Sequence, residues 1–149
     1  ESHNEWIKDV TKVTGNTLTF PIIADVSRDI AVQLGALDPE LKSFDGLPAT
    51  VRAVYIVGPD RKIKLTLTYP PACGRNFDEN LRCVDSLQLT ATKKVATPAN
   101  WNINAESEKR VVILPSVSDE DAQKNYGDFT KQELPSGKHY LRFLNAAPK

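Results

Sequence analysis

Apolar residues recur at helical spacing in the opening segment. Trp6, Ile7, Val10 and Val13 share one face while His3, Asn4, Lys8, Asp9 and Lys12 lie elsewhere, which predicts an amphipathic helix over residues 1–14 ended by Gly15 and Asn16. The run from Leu18 to Ile23 is broken by Pro21 and predicts a short strand or extended segment at a sheet margin. Asp25 to Ser27 are placed to cap a following helix, Arg28 to Leu34, whose apolar positions are Ile30, Ala31 and Leu34. Residues 35–49 hold two glycines and two prolines and predict mainly loop.

The pattern then changes period. Val51 to Val57 is rich in β-branched residues, Gly58-Pro59-Asp60-Arg61 has turn chemistry, and Ile63, Leu65, Leu67 and Tyr69 alternate with Lys64, Thr66 and Thr68. This predicts a hairpin whose second strand has one apolar and one polar face, suited to a sheet margin. After Pro70-Pro71, Asn76 can cap a helix with Glu79 three residues on, and Phe77, Leu81, Val84 and Leu87 or Gln88 follow at helical spacing over residues 77 to about 90. From Val95 onward Pro98, Pro115, Pro135 and Pro148 punctuate the chain, predicting small strands at 110–114 and 138–144 in an extension with little core of its own. The chain contains neither an internal repeat nor a low-complexity segment.

Composition narrows the function classes. With 149 residues, 40% hydrophobic and 7% aromatic, the chain can bury a core, and 19 basic residues balance 19 acidic ones, so no global field attracts nucleic acid or an anionic membrane. The longest apolar run, Ala53 to Val57, falls far short of the roughly 20 residues of a spanning helix. No charged leader followed by an apolar stretch opens the chain. Two cysteines, Cys73 and Cys83, are too few for a disulfide framework and lack the spacing of a metal motif, which fits a reducing, cytoplasmic setting. The absence of methionine leads us to expect that the sequence begins inside a longer protein.

Two arginines stand out. Arg52 shares a strand face with Val54 and Ile56, and a buried guanidinium needs an anionic or multiply hydrogen-bonded partner. Either it lies at the strand end and reaches solvent or a structural carboxylate, or it stabilises a bound anion. Arg75 precedes a helix N-terminus, where backbone N–H groups and the helix dipole already favour negative charge; it either reinforces an anion site or pairs locally with Asp78 or Glu79. Asp60 is a natural turn residue, and His3 and His139 read as solvated surface. Cys73, two residues from Arg75, is the alternative nucleophile, yet no base or resolving partner is visible, and a small loop residue is the simpler reading. Cys83, on the inner side of the helix, reads as core. No phosphate loop, Gly-x-Ser-x-Gly or His-Glu-x-x-His motif is present, so hydrolase and nucleotide-binding functions have no local support.

Taken in order, Leu47-Pro48-Ala49-Thr50-Val51-Arg52, Gly58-Pro59-Asp60, Tyr69-Pro70, Gly74-Arg75-Asn76-Phe77-Asp78-Glu79, Leu87-Gln88-Leu89-Thr90, Val95-Ala96-Thr97-Pro98-Ala99-Asn100-Trp101, Leu134-Pro135-Ser136-Gly137-Lys138 and Tyr140-Leu141-Arg142 resemble the 1-Cys, or peroxiredoxin-6-like, branch of the peroxiredoxins. The resemblance runs from about Trp6 to the C-terminus. It implies an α/β, thioredoxin-like fold, with residues 1–92 supplying the later half of the core and 93–149 a C-terminal extension of short strands and a helix that acts as a dimerisation arm. It implies a homodimer through strand 62–69 and that arm, a peroxide substrate, an external thiol reductant, and no cofactor or metal.

The family's peroxidatic cysteine lies in a Pro-x-x-x-Thr-x-x-Cys motif, which neither Cys73 nor Cys83 matches. The resemblance therefore implies that this segment precedes the present chain, and that the chain alone is not a competent peroxidase. Arg52 and Arg75 match the two arginines that surround that cysteine, where they would hold the thiolate and hydrogen-bond the peroxide as the O–O bond breaks. Cys73 stands where relatives usually carry threonine. Some members also show a phospholipase activity assigned to an upstream His and Ser and to the Asp matching Asp60; only the Asp is present, and its turn role accounts for it. Two functions follow, a thiol peroxidase completed by an upstream cysteine, or a non-catalytic dimerisation or interaction module.

Overall fold

The first predicted helix forms as α1 (Ser2–Thr14) in a computed structural model of the protein that describes residues 2–42, 48–101 and 110–144. Gly15, at φ +71°, donates its N–H to the Thr11 carbonyl at 2.9 Å, so a left-handed residue closes the helix where glycine carries no Cβ penalty. Its apolar stripe is partly covered: Ile7 and Val10 are half-buried, while Trp6 is 51% and Val13 84% exposed. Residues 18–23 form no strand, which leaves the extended segment of the two forms expected there. Pro21 supplies no N–H for a ladder, and Phe20 and Ile23 face solvent.

Helix α2 (Asp29–Gln33) falls inside the predicted span, and the Asp25 carboxylate caps it by accepting from the N–H groups of Ile30 at 3.2 Å and Ala31 at 2.8 Å. The loop predicted over 35–49 is corrected in part. Strands β1 (Leu37–Lys42) and β2 (Pro48–Thr50) pair antiparallel, with Leu37 opposite Thr50, Lys42 opposite Pro48 and an irregularity between; residues 43–47 lie outside the described ones. A ladder is made by main-chain groups, and Pro48 is tolerated because it is the first residue of its strand.

The hairpin follows the sequence pattern closely. Strands β3 (Arg52–Val57) and β4 (Ile63–Tyr69) pair in a two-stranded sheet. Along β4, Leu65, Leu67 and Tyr69 are half-buried while Lys64, Thr66 and Thr68 are exposed. Helix α3 (Phe77–Thr92) is capped by Asn76, whose side chain accepts from the Glu79 N–H at 3.1 Å, as the spacing predicts.

The C-terminal part corrects the expectation of an extension with little core of its own. Strands β5 (Val95–Ala96), β6 (Val111–Ile113), β7 (Thr130–Lys131) and β8 (Arg142–Leu144) form an antiparallel sheet in the order β5-β6-β8-β7, with helix α4 (Asp119–Tyr126) between β6 and β7 in sequence. Val95, Trp101, Val111, Ile113, Val117, Ala122 and Leu144 make the hydrophobic cluster, with Leu89, Leu114, Tyr126 and Phe129 against it. Strands of two or three residues are too short to show alternation in sequence, yet Val111 with Ile113, and Arg142 with Leu144, are buried pairs two residues apart. The second predicted strand is shorter than 138–144, and His139 lies ahead of it, exposed.

The chain divides into two compact units, Glu1–Ala53 with Thr68–Gly74, and Val54–Leu67 with Arg75–Lys149. Among the described residues no helix is long and apolar enough to cross a membrane.

Candidate functional site

Arg52 opens β3 and is exposed, which answers the question posed by its place on an apolar strand. Its Nε donates to the Pro71 carbonyl at 2.7 Å, across 19 positions of sequence and within the first unit. That partner is neutral, so the bond orients the guanidinium without cancelling its charge.

Arg75 belongs to the second unit, is half-buried, and immediately precedes the capping Asn76 of α3. Glu79, one of the two local partners considered for it, gives both carboxylate oxygens to Arg82: Nε to Oε2 at 2.6 Å and Nη2 to Oε1 at 2.7 Å. The Arg82 guanidinium and the Cys83 thiol hold the Glu79 carboxyl down to about 2. Each candidate arginine thus has its own surroundings, one beside the Pro70–Cys73 turn and one at a helix start.

Asp60 sits in the β3–β4 turn as its chemistry predicts. Its Oδ2 pairs with Lys64 Nζ at 2.7 Å and its Oδ1 accepts from the Lys62 N–H at 3.3 Å, while Gly58 closes the turn onto the Lys62 carbonyl at 2.9 Å. The Lys64 ammonium holds the Asp60 carboxyl below its ordinary range. A Cβ on Gly58 would stand 2.6 Å from Lys64 Cε and 2.9 Å from Asp60 Oδ1, the far ends of exposed side chains, so it would push the Lys64–Asp60 pair aside.

The two cysteines differ sharply. Cys83 is buried, and its Sγ donates to Glu79 Oε1 at 3.3 Å. Burial and the neighbouring carboxylate push its thiol up, opposite to what a nucleophile requires. Cys73 is exposed, and its Sγ makes a weak contact to the Gly74 carbonyl at 3.7 Å. Treating native protein with N-ethylmaleimide is accordingly expected to label Cys73 fully and Cys83 only after denaturation, as read by peptide mass spectrometry; equal labelling of both in native protein would refute this assignment. Among the described residues no group of three or more His, Cys, Asp or Glu side chains could hold a metal ion.

One residue escaped the sequence reading. Arg142 is 4% exposed: Nη1 binds Asp119 Oδ1 at 2.8 Å, and Nη2 binds the carbonyls of Leu114 at 2.9 Å and Val117 at 2.7 Å. Asp119 also pairs with Lys131. These contacts tie β8 to the segment after β6, a structural role. Arg142 shares a strand face with Leu144, two residues on, a relation that a three-residue strand does not announce in sequence.

Comparison with known proteins gives this geometry a family setting. Residues 86–128 match the description "C-terminal domain of 1-Cys peroxiredoxin". The chain is 53% identical over 149 residues to the peroxiredoxin-6 of Sus scrofa, covering 96% of this chain and 64% of that protein. It is 46% identical over 162 residues to the 1-Cys peroxiredoxin of Dirofilaria immitis, covering 100% and 67%. A crystal structure of a cysteine-to-serine mutant of the peroxiredoxin 6 of Arenicola marina superposes with a TM-score of 0.89 at 47% identity, covering 99% of this chain and 66% of that one. A yeast mitochondrial 1-Cys peroxiredoxin, studied for thiol resolving via glutathione/thioredoxin systems, gives 0.80 at 39% identity, covering 95% and 64%. The chain spans 64% of the length of the pig relative.

Proposed function

Because this chain belongs to the 1-Cys peroxiredoxin family, with its thioredoxin-like α/β fold, we propose that it forms part of a thiol-dependent peroxidase acting on hydrogen peroxide and organic hydroperoxides. The attacking thiolate comes from a cysteine other than Cys73 and Cys83, in a Pro-x-x-x-Thr-x-x-Cys segment upstream of these residues. It attacks one peroxide oxygen, the O–O bond breaks, the sulfur becomes a sulfenic acid, and the second oxygen leaves as water or alcohol after taking a proton. An external thiol condenses with the sulfenic acid, releasing water, and a second thiol frees the enzyme cysteine as the reductant becomes a disulfide.

Arg52 and Arg75 are the groups that stabilise thiolate and peroxide. The observation that carries their assignment is Arg52 itself: exposed, oriented at 2.7 Å by a neutral carbonyl, and so presenting its positive charge outward. Guanidinium N–H groups aimed at developing negative charge lower the barrier to O–O cleavage. Residues 93–149 serve as the C-terminal arm, and the half-polar strand β4 is the edge on which a second subunit pairs, giving a homodimer. The balanced charge and two unlinked thiols suit the cytoplasm.

The test is peroxide consumption with excess dithiothreitol. Residues 1–149 alone are expected to show no turnover. The same residues joined to a family segment bearing the Pro-x-x-x-Thr-x-x-Cys motif are expected to turn over, with and without Cys73→Ser. Turnover by residues 1–149 alone that vanishes in Cys73→Ser would make Cys73 the nucleophile and overturn the proposal.

A further inference from the structure

The stretch Pro70-Pro71-Ala72-Cys73 is a closed turn, with the Cys73 N–H donating to the Pro70 carbonyl at 2.9 Å. Pro71 occupies its second position, where the ring already holds φ near the value the turn requires. The Pro71 carbonyl belongs to this closed turn and receives Arg52 Nε at 2.7 Å, at the short end of N–H···O distances. An exposed arginine otherwise samples many rotamers. Here a half-buried turn residue holds it from outside its own strand.

We propose that the Pro70–Cys73 turn is the positioning element of Arg52, its Pro71 carbonyl taking the Nε–H so that the two Nη groups are aimed at the peroxide anion site. The inference rests on the peroxidase reading above and extends it to residues that never touch substrate. The chemistry suits arginine alone. The planar guanidinium can spend Nε on an anchor and still offer a fork of N–H donors, whereas an ammonium offers one point charge with no fixed plane. Cys73 takes part through its backbone N–H, whatever the state of its thiol.

The test uses the peroxidase-active polypeptide described above and the variants Pro71→Gly, Pro71→Ala, Arg52→Lys and Arg52→Ala. Pro71→Gly loosens the turn and is expected to lower kcat/KM for hydrogen peroxide roughly tenfold, the equivalent of losing one charge-assisted hydrogen bond. Its nucleophilic cysteine should keep the iodoacetamide alkylation rate and pH midpoint of the parent, because the arginine charge remains; general unfolding would change both. Pro71→Ala keeps carbonyl and turn and should retain most of the parent rate, while Arg52→Lys should behave like Arg52→Ala. In the parent protein, NMR should show slow water exchange of the Arg52 Nε–H that becomes fast in Pro71→Gly.

Fast exchange of that proton in the parent overturns the proposal without reliance on any variant. So does an unchanged kcat/KM in Pro71→Gly, and in that case a large loss in Arg52→Ala would leave the peroxidase reading intact. Parent-like peroxide kinetics in Arg52→Ala would overturn both the reading and the inference built on it.

Discussion

Replacing Arg52 with alanine is expected to reduce kcat/KM for hydrogen peroxide by about 10²–10³-fold in the peroxidase-active polypeptide, the loss typical of deleting one preorganised donor to a developing anion. The attack moves charge from sulfur to the departing peroxide oxygen, and a donor already in place contributes most at that moment. The Pro71 carbonyl at 2.7 Å provides this placement before any substrate arrives. Stability should hardly change, since Arg52 is exposed. A steady-state assay beside a thermal melt separates the two effects, and a variant that loses less than threefold in rate would remove Arg52 from the mechanism.

Arg142→Ala should behave in the opposite way, costing stability and not chemistry. The side chain is 5% exposed and bonds to Asp119 and to the carbonyls of Leu114 and Val117. The pair with Asp119 contributes little on its own, because that carboxylate is half exposed. The Leu114 carbonyl would keep the Val117 N–H at 3.0 Å. The Val117 carbonyl would lose its guanidinium, and a cavity would open beside Leu144 on the same strand face. One orphaned acceptor, the lost charge-assisted bonds and the void together predict about 3 kcal/mol, read as a shift of the urea midpoint at constant slope. Arg142→Lys should recover only part of this, since a single ammonium cannot span a carboxylate and two carbonyls in fixed planes. A loss below about 1 kcal/mol would show that these contacts are replaced by water.

What could be read from the chain depended on element length. Helix α3 announces itself by Asn76, Glu79 and four turns of spacing, and the β3–β4 hairpin by a turn and seven alternating residues. The C-terminal core was illegible because its strands are two or three residues long, so Val95, Ile113 and Leu144 come together from separate short segments with no shared period. Pairing between β1 and β2 was hidden for a related reason, since prolines at positions 39 and 48 signal loop while main-chain bonds make the ladder. Of the candidate site, Arg52 and Arg75 could be named in advance, and so could the turn role of Asp60. The Pro71 anchor could not, because a carbonyl 19 residues away leaves no side-chain signature.

The way the C-terminal core is gathered bears on the order of assembly. Its seven buried residues all lie between Val95 and Leu144, yet the pairings that bring them together reach across the segment, with Val95 opposite Ile113 and Val111 opposite Leu144. Closing such loops costs more entropy than joining two strands across a tight turn, and contacts of high sequence separation form late. Helix α3 and the β3–β4 hairpin, held by local contacts, are thus suited to form first, with Val111, Ile113 and Leu144 condensing afterwards.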